Sequence, residues 1–217
     1  MRHLIDTYIR AEESEVISKF DDLSLIQLIV DRGADAVTAL PSGIRKNREA
    51  VAETIENNVR KLIIDETPIN PKYYEKMSAW LDALIEQRKQ EALDYAAYLA
   101  KIIELTKQVK NGPGGAAYPK SLNTPARKAL YDNLGKNEAL ALAVDAAVRA
   151  SKQDDWRHNP FKVKKVLNAI REALDDFPMS DSGEAKDAPG APPRSVAELE
   201  ASRAEAVLEL VNQQNEY

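Results

Sequence analysis

The 217-residue chain contains no cysteine, which removes disulfides, thiolate zinc sites and cysteine nucleophiles together and suits a reducing compartment. Histidine is nearly as scarce. His3 and His158 are the only two, most of the chain apart, and neither sits in an HExxH or Glu-x-x-His arrangement that would hold a metal. No run of about 18 apolar residues occurs, so a membrane-spanning helix is not expected. The first residues, MRHLIDTYIRAEESEV, are charged throughout and lack the apolar core of a signal peptide. These absences predict a cytoplasmic chain that is neither exported nor inserted. Aromatic residues make up only 6%.

What is abundant is helix-forming. Charged residues reach 30% and hydrophobic ones 44%, with frequent Ala, Leu, Glu, Lys and Arg, whose side chains lose little rotamer freedom in a helix. Apolar residues recur at helical spacing, and no alternating run supports a sheet. The formal charge of -5 is uneven: residues 175–217 hold ten acidic against three basic side chains, net -7, which leaves +2 for residues 1–174. A nearly neutral body exerts little long-range pull on nucleic-acid phosphates.

Helix boundaries are marked by caps and prolines. Leu4, Ile5, Tyr8 and Ile9 suggest a first helix; Leu23 to Val30 then read as a short buried helix between Ser24, where an N-cap belongs, and Gly33, where a C-cap belongs. A turn is expected near Pro41–Gly43. Val51, Ile55, Val59, Leu62 and Ile63 define one long amphipathic helix from Arg48, ending where Thr67 precedes Pro68. Asn70–Pro71 reads as N-cap and first helical residue. The pattern that follows runs to Asn111 and is too long for one ordinary helix, so either a break near Ala92–Asp94 or an extended antenna-like pair is expected. After the Gly- and Pro-rich NGPGGAAYPKSLN, three shorter helices are predicted over 125–134, 137–150 and 160–177, two of them opened by Thr124–Pro125 and Asn159–Pro160. Met179–Arg194, with three Pro, two Gly and no large aliphatic residue beyond Met179, reads as a flexible linker. Ser195 would cap a last helix, whose stripe of Val196, Leu199, Val207, Leu208, Leu210 and Val211 must dock either on the body or on a partner.

The fold class is therefore all-α: a multi-helix bundle with long antiparallel helices, a flexible linker and a C-terminal helix. The expected organisation is a helical body over 1–177, with sub-bundles 1–111 and 124–177, a linker over 178–195 and a C-terminal helix over 196–217.

Motifs that imitate chemistry are incomplete. Leu62–Glu66 (LIIDE) has the apolar run and acids of an ATPase Walker B, but Gly135-Lys136-Asn137 lacks the upstream Gly and the hydroxyl of a phosphate loop, so a helix end with exposed acids is the better reading. Glu184-Ala185-Lys186 matches half of a nuclease signature, yet it falls in the linker, where nothing would hold it rigid. No Ser lies in a G-x-S-x-G turn. The stretch from Asp154 gathers Trp156, Arg157, Lys162, Lys164, Lys165 and Arg171, with His158 and Phe161 between them. Three readings stay open for it: a solvated helix face, a protein interface built on Trp and Arg, or a helix start that contacts phosphates.

Several blocks, in order, carry a resemblance: ETIENNVRKLIIDE, INPKYYEKMS, SLNTPA, the alanine-rich ALAVDAAVRAS and the closing ELVNQQNEY. Over nearly its whole length the sequence resembles the C-terminal helical region of the restriction (R) subunit of type I restriction-modification enzymes, the linker being the part least expected to match. That subunit is an ATP- and magnesium-dependent DNA translocase and endonuclease, with a nuclease domain, two RecA-like motor domains and this helical region last. The motifs that carry its activity are missing here, so the resemblance transfers no catalytic, cofactor-binding or metal residue. It implies a module that attaches the motor to the methyltransferase core of modification and specificity subunits and meets DNA through the assembled complex. A DNA-contacting role for the helix from Pro160 is the alternative. The resemblance also implies a longer parent chain with the machinery upstream, Met1 then being an artificial start.

Overall fold

The computed structural model describes residues 24–90, 94–112, 118–177 and 196–217. The expected helix around Leu4–Ile9, His3, the linker with Glu184–Lys186, and the Ser195 cap lie outside the described residues. Among the described residues the chain is all-α, with no strand. Its helices are α1 (Leu25–Arg32), α2 (Ser42–Arg45), α3 (Arg48–Glu66), α4 (Pro71–Lys89), α5 (Tyr95–Asn111), α6 (Pro125–Asn133), α7 (Glu138–Ser151), α8 (Pro160–Asp175) and α9 (Val196–Asn212). Short 3-10 turns cover Gly33–Ala39 and Trp156–His158. None of the described helices is long and apolar enough to cross a membrane.

Local chemistry sets the boundaries. Ser24 accepts a hydrogen bond from the Gln27 amide, and Gly33 ends α1 at φ +60°, a conformation that favours glycine. The turn expected near Pro41 is wound into α2, since Ile44 and Arg45 both donate to the Pro41 carbonyl. Thr67 folds its hydroxyl back onto the Ile63 carbonyl at 2.6 Å and Pro68 follows, which closes α3. The long pattern after Pro71 does not continue as one rod. α4 stops at Lys89, and α5 restarts after Asp94, whose carboxylate accepts from the Ala97 amide at 2.7 Å. Thr124, Asn137 and Asn159 cap α6, α7 and α8 through their side chains, and Pro125 and Pro160 occupy first-turn positions where a missing N–H costs nothing.

Packing divides the chain into two compact units. One comprises the described residues of Met1–Val59 with Leu84–Lys110; the other comprises Arg60–Ala83 with the described residues of Asn111–Tyr217. In the first, Leu25, Ile29, Val51, Ile55, Val59, Leu84, Ile102, Leu105 and Val109 are buried. The buried Glu56 carboxylate is held there by Tyr98 Oη at 2.7 Å and Arg88 Nε at 2.8 Å, which ties α3 to α5 and α4. Burial, followed by this bond to a carboxylate, pushes the Tyr98 hydroxyl well above its ordinary value.

In the second unit α6, α7, α8 and α9 share one core: Leu122, Ala126, Leu130, Leu140, Val144, Val148, Trp156, Val166, Ile170, Leu174, Val207, Leu210 and Val211. Val207, Leu210 and Val211 of the last helix therefore find their cover on their own chain. Arg157 near the start of α8 reaches Asn212, while Arg203 donates to the Phe177 carbonyl beyond the other end, so α8 and α9 run antiparallel.

Candidate interaction site

The residues gathered by the sequence around Asn159 separate into three groups. Trp156 is only 3% exposed and belongs to the core, so it is not presented as an anchor for a partner. Its indole Nε1 has no acceptor among the described residues. Arg157 lies across the indole ring at 5.0 Å and is committed to its own chain. Its guanidinium donates to the carbonyls of Asn212 (3.2 Å), Tyr217 (2.8 Å) and Gln214 (2.6 Å). A helix leaves its last carbonyls unpaired, and a guanidinium fork supplies the donors that the end of α9 lacks. The second group is partly covered: Lys162 donates to the Asp154 carbonyl at 2.7 Å, and Arg171 is half-buried with no partner for its Nε among the described residues. Lys164 and Lys165 form the third group, exposed like Phe161, which is 86% exposed.

His158 is exposed and pairs locally with Asp155 Oδ1 at 2.5 Å. Asp155 adopts φ +54°, the left-handed conformation that turns the chain into the Trp156–His158 turn. LIIDE is the last turn of α3, with Ile63 buried and Ile64 and Asp65 exposed, and is not on a strand. Gly135 and Lys136, at φ +68° and +59°, make the tight junction into the Asn137 cap of α7. No grouping of His, Asp and Glu suited to a metal occurs among the described residues.

The polar centre of this unit involves residues that sequence reasoning did not single out. Asp145, 1% exposed on α7, accepts from Arg127 Nε (2.9 Å), Arg149 Nε (2.9 Å) and Tyr217 Oη (2.7 Å). Tyr217 is itself buried beneath Arg149 at 5.2 Å and Lys152 at 6.0 Å. Burial first, and the bond to Asp145 second, raise its hydroxyl far above the usual tyrosine value. Glu216 accepts from the Ala126 amide at 3.1 Å, so the tail supplies an acceptor to the positive start of α6. Gln214, also buried, donates to the Ile69 carbonyl at 2.7 Å. A second polar node joins the α3–α4 turn to α6: Asn70 and Tyr118 donate to Asp132 Oδ2 at 2.8 and 2.7 Å, and Asn133 donates to Asn70 Oδ1 at 2.9 Å.

Alongside α9 runs an open cleft of about 1090 Å³. Its floor includes Leu134, Leu140 and Val207, with Leu199, Ala206 and Phe177 on its walls and Lys72, Arg203, Asp176 and Glu209 around it. Desolvation lowers the Arg203 guanidinium from its ordinary value, with Glu200 opposing the shift. The mixture of apolar floor and mixed-charge margin suits a peptide segment or a protein edge better than a small anion. Comparison of the chain with protein-family models, with curated proteins and with solved structures returns no match.

Proposed function

We propose that this chain is a non-catalytic assembly module of a type I restriction enzyme R subunit, which docks the ATP-dependent translocase and endonuclease onto the methyltransferase core of modification and specificity subunits. The cleft beside α9 carries the reading, because it offers a lined apolar floor on a unit whose buried Asp145 and Gln214 are already engaged within it. The blocks that give the resemblance also hold one another. INPKYYEKMS reaches the α6 segment through Asn70, ALAVDAAVRAS reaches the closing ELVNQQNEY through Asp145 and Tyr217, and Gln214 of that last block returns to Ile69 of the first. Such a unit positions a surface rather than a reacting group.

The test is capture of purified modification and specificity subunits by the full chain. Removing residues 178–217 would strip α9 from the core, so the discriminating variants are Leu199→Glu and Ala206→Glu on the cleft wall. Loss of capture with unchanged helix content is expected. Failure of the parent chain to capture either subunit overturns the proposal, as does ATP hydrolysis by a motor-free preparation.

A further inference from the structure

The outer face of α8 carries an unusual order of charge. Its inner face is fixed by Val166, Ile170 and Leu174, which pack into the core. Opposite them, Phe161, Lys164, Lys165, Asn168, Glu172 and Asp175 are all exposed. At 100° per residue they fall on one stripe, and about 21 Å separates Phe161 from Asp175 at roughly 1.5 Å per residue. On this stripe the cations occupy the first half of the helix and the acids the second; the first turn holds no acid and the last turn no base. This is the reverse of what the helix dipole favours: Glu172 and Asp175 in the last turn work against α8 as an isolated element, while Lys164 and Lys165, past the first turn, feel the dipole little. Among the described residues Lys164, Lys165, Glu172 and Asp175 form no ion pair.

The order becomes favourable across a two-fold axis. Lys164 precedes Asn168 by as many residues as Glu172 follows it, and Phe161 and Asp175 are likewise equidistant from it. We infer that the outer face of α8 binds a second copy of this chain, with the two α8 helices antiparallel and crossing near Asn168. Lys165 then lies alongside Glu172 of the other copy, and Lys164 comes within reach of Glu172 and Asp175. The helix dipoles oppose one another, and Phe161 leaves water against the last turn of the facing helix. A two-fold interface uses one patch twice, so a face must be complementary to itself, and this one is. Arg171 lies half-buried on the flank and adds one like charge near Lys164, which the two acids outnumber. An acidic heterologous protein or a nucleic acid would satisfy only the lysine half and would leave Glu172 and Asp175 facing like charge.

The experiment is sedimentation of the full 217-residue chain over a concentration series at low and high salt. A monomer–dimer equilibrium that weakens with salt is expected, because the facing charges lie at the surface. Lys164→Glu with Lys165→Glu should raise the dimer dissociation constant by more than about tenfold, and Glu172→Lys with Asp175→Lys should do the same. Mixing the two reversed chains should restore association, now as a heterodimer. That rescue cannot come from misfolded variants, and circular dichroism of each variant checks folding separately. A chain that stays monomeric throughout the series overturns the inference, and so does a dimer indifferent to both reversals. If the lysine reversal abolishes capture of the methyltransferase subunits or binding to duplex DNA while leaving the chain monomeric, the face belongs to that partner. The inference then fails while the docking function stands.

Discussion

Replacing Asp145 by alanine tests whether the closing residues are structural. In the native unit this carboxylate satisfies two guanidinium groups and the buried hydroxyl of Tyr217. Without it the hydroxyl is left buried with no acceptor, a loss of about 1 to 3 kcal/mol. Arg127 and Arg149 lose an ion partner but are 28% and 38% exposed, so water recovers part of their cost. The expected destabilisation is about 3 kcal/mol, at the low end for removing one partner of a buried ionic group. Tyr217→Phe keeps the ring under Arg149 and removes only the donor, and should cost about 1 kcal/mol. The double variant is the sharpest arm: once Asp145 is gone, deleting the orphaned hydroxyl should recover about 1 kcal/mol, so the pair is more stable than Asp145→Ala alone. Urea unfolding followed by tryptophan fluorescence reads this directly, because Trp80 and Trp156 both belong to the second unit. The Asp145→Ala midpoint should fall by about 1 to 3 M at constant slope. A loss below about 1 kcal/mol, or a double variant weaker than the single, refutes the account of Asp145 as the centre of the lock.

Three further outcomes follow from the same geometry. Arg157→Ala should cost about 2 kcal/mol and abolish hydrogen-exchange protection at Gln213 and Gln214, and Arg157→Lys should not rescue it, since one ammonium cannot span three carbonyls; retained protection would contradict this. Glu56→Ala should destabilise the first unit by about 3 kcal/mol, seen as an earlier loss of far-ultraviolet ellipticity, because Arg88 and Tyr98 lose a shared buried acceptor. Alkaline pH should unfold the chain: burial raises the hydroxyls of Tyr98, Tyr118 and Tyr217 and pushes Tyr74 up to about 12 from 10.0, so the folded state holds these protons more tightly. The resulting stability is fully present below pH 10.0 and is lost as pH rises, for Tyr74 through about 12. Tyrosinate absorbance should rise together with loss of ellipticity, and titration of all tyrosines near the ordinary value in a folded chain would refute it.

How much of this could be read in the sequence depended on how far apart the interacting residues lie. Caps and prolines act within four residues, and Ser24, Thr124 with Pro125, and Asn159 with Pro160 marked helix starts because their hydrogen bonds close within the same turn. Periodicity showed that Val166, Ile170 and Leu174 face inward and that Val207, Leu210 and Val211 need cover, but it could not say whose surface supplies it. The answer depends on Trp156 entering the shared core and on Arg157 meeting residues 55 to 60 positions away. In sequence, a Trp-Arg pair beside a run of lysines has the composition of an exposed interface. In the fold the Trp is core and the Arg closes a helix end, because packing, not composition, decides which face of a turn is inside. Asp145 was hidden for the converse reason. An acid within ALAVDAAVRAS suggests an exposed position, yet it occupies the buried stripe with Val144 and Val148 because Arg127 and Tyr217 arrive from other segments to receive it. Among the described residues, those left with no such long-range partner are the ones whose sequence pattern still describes them, and on α8 these include Lys164, Lys165, Glu172 and Asp175. Their order along one exposed face is therefore the part of this surface where sequence and structure give the same reason to look for a second chain.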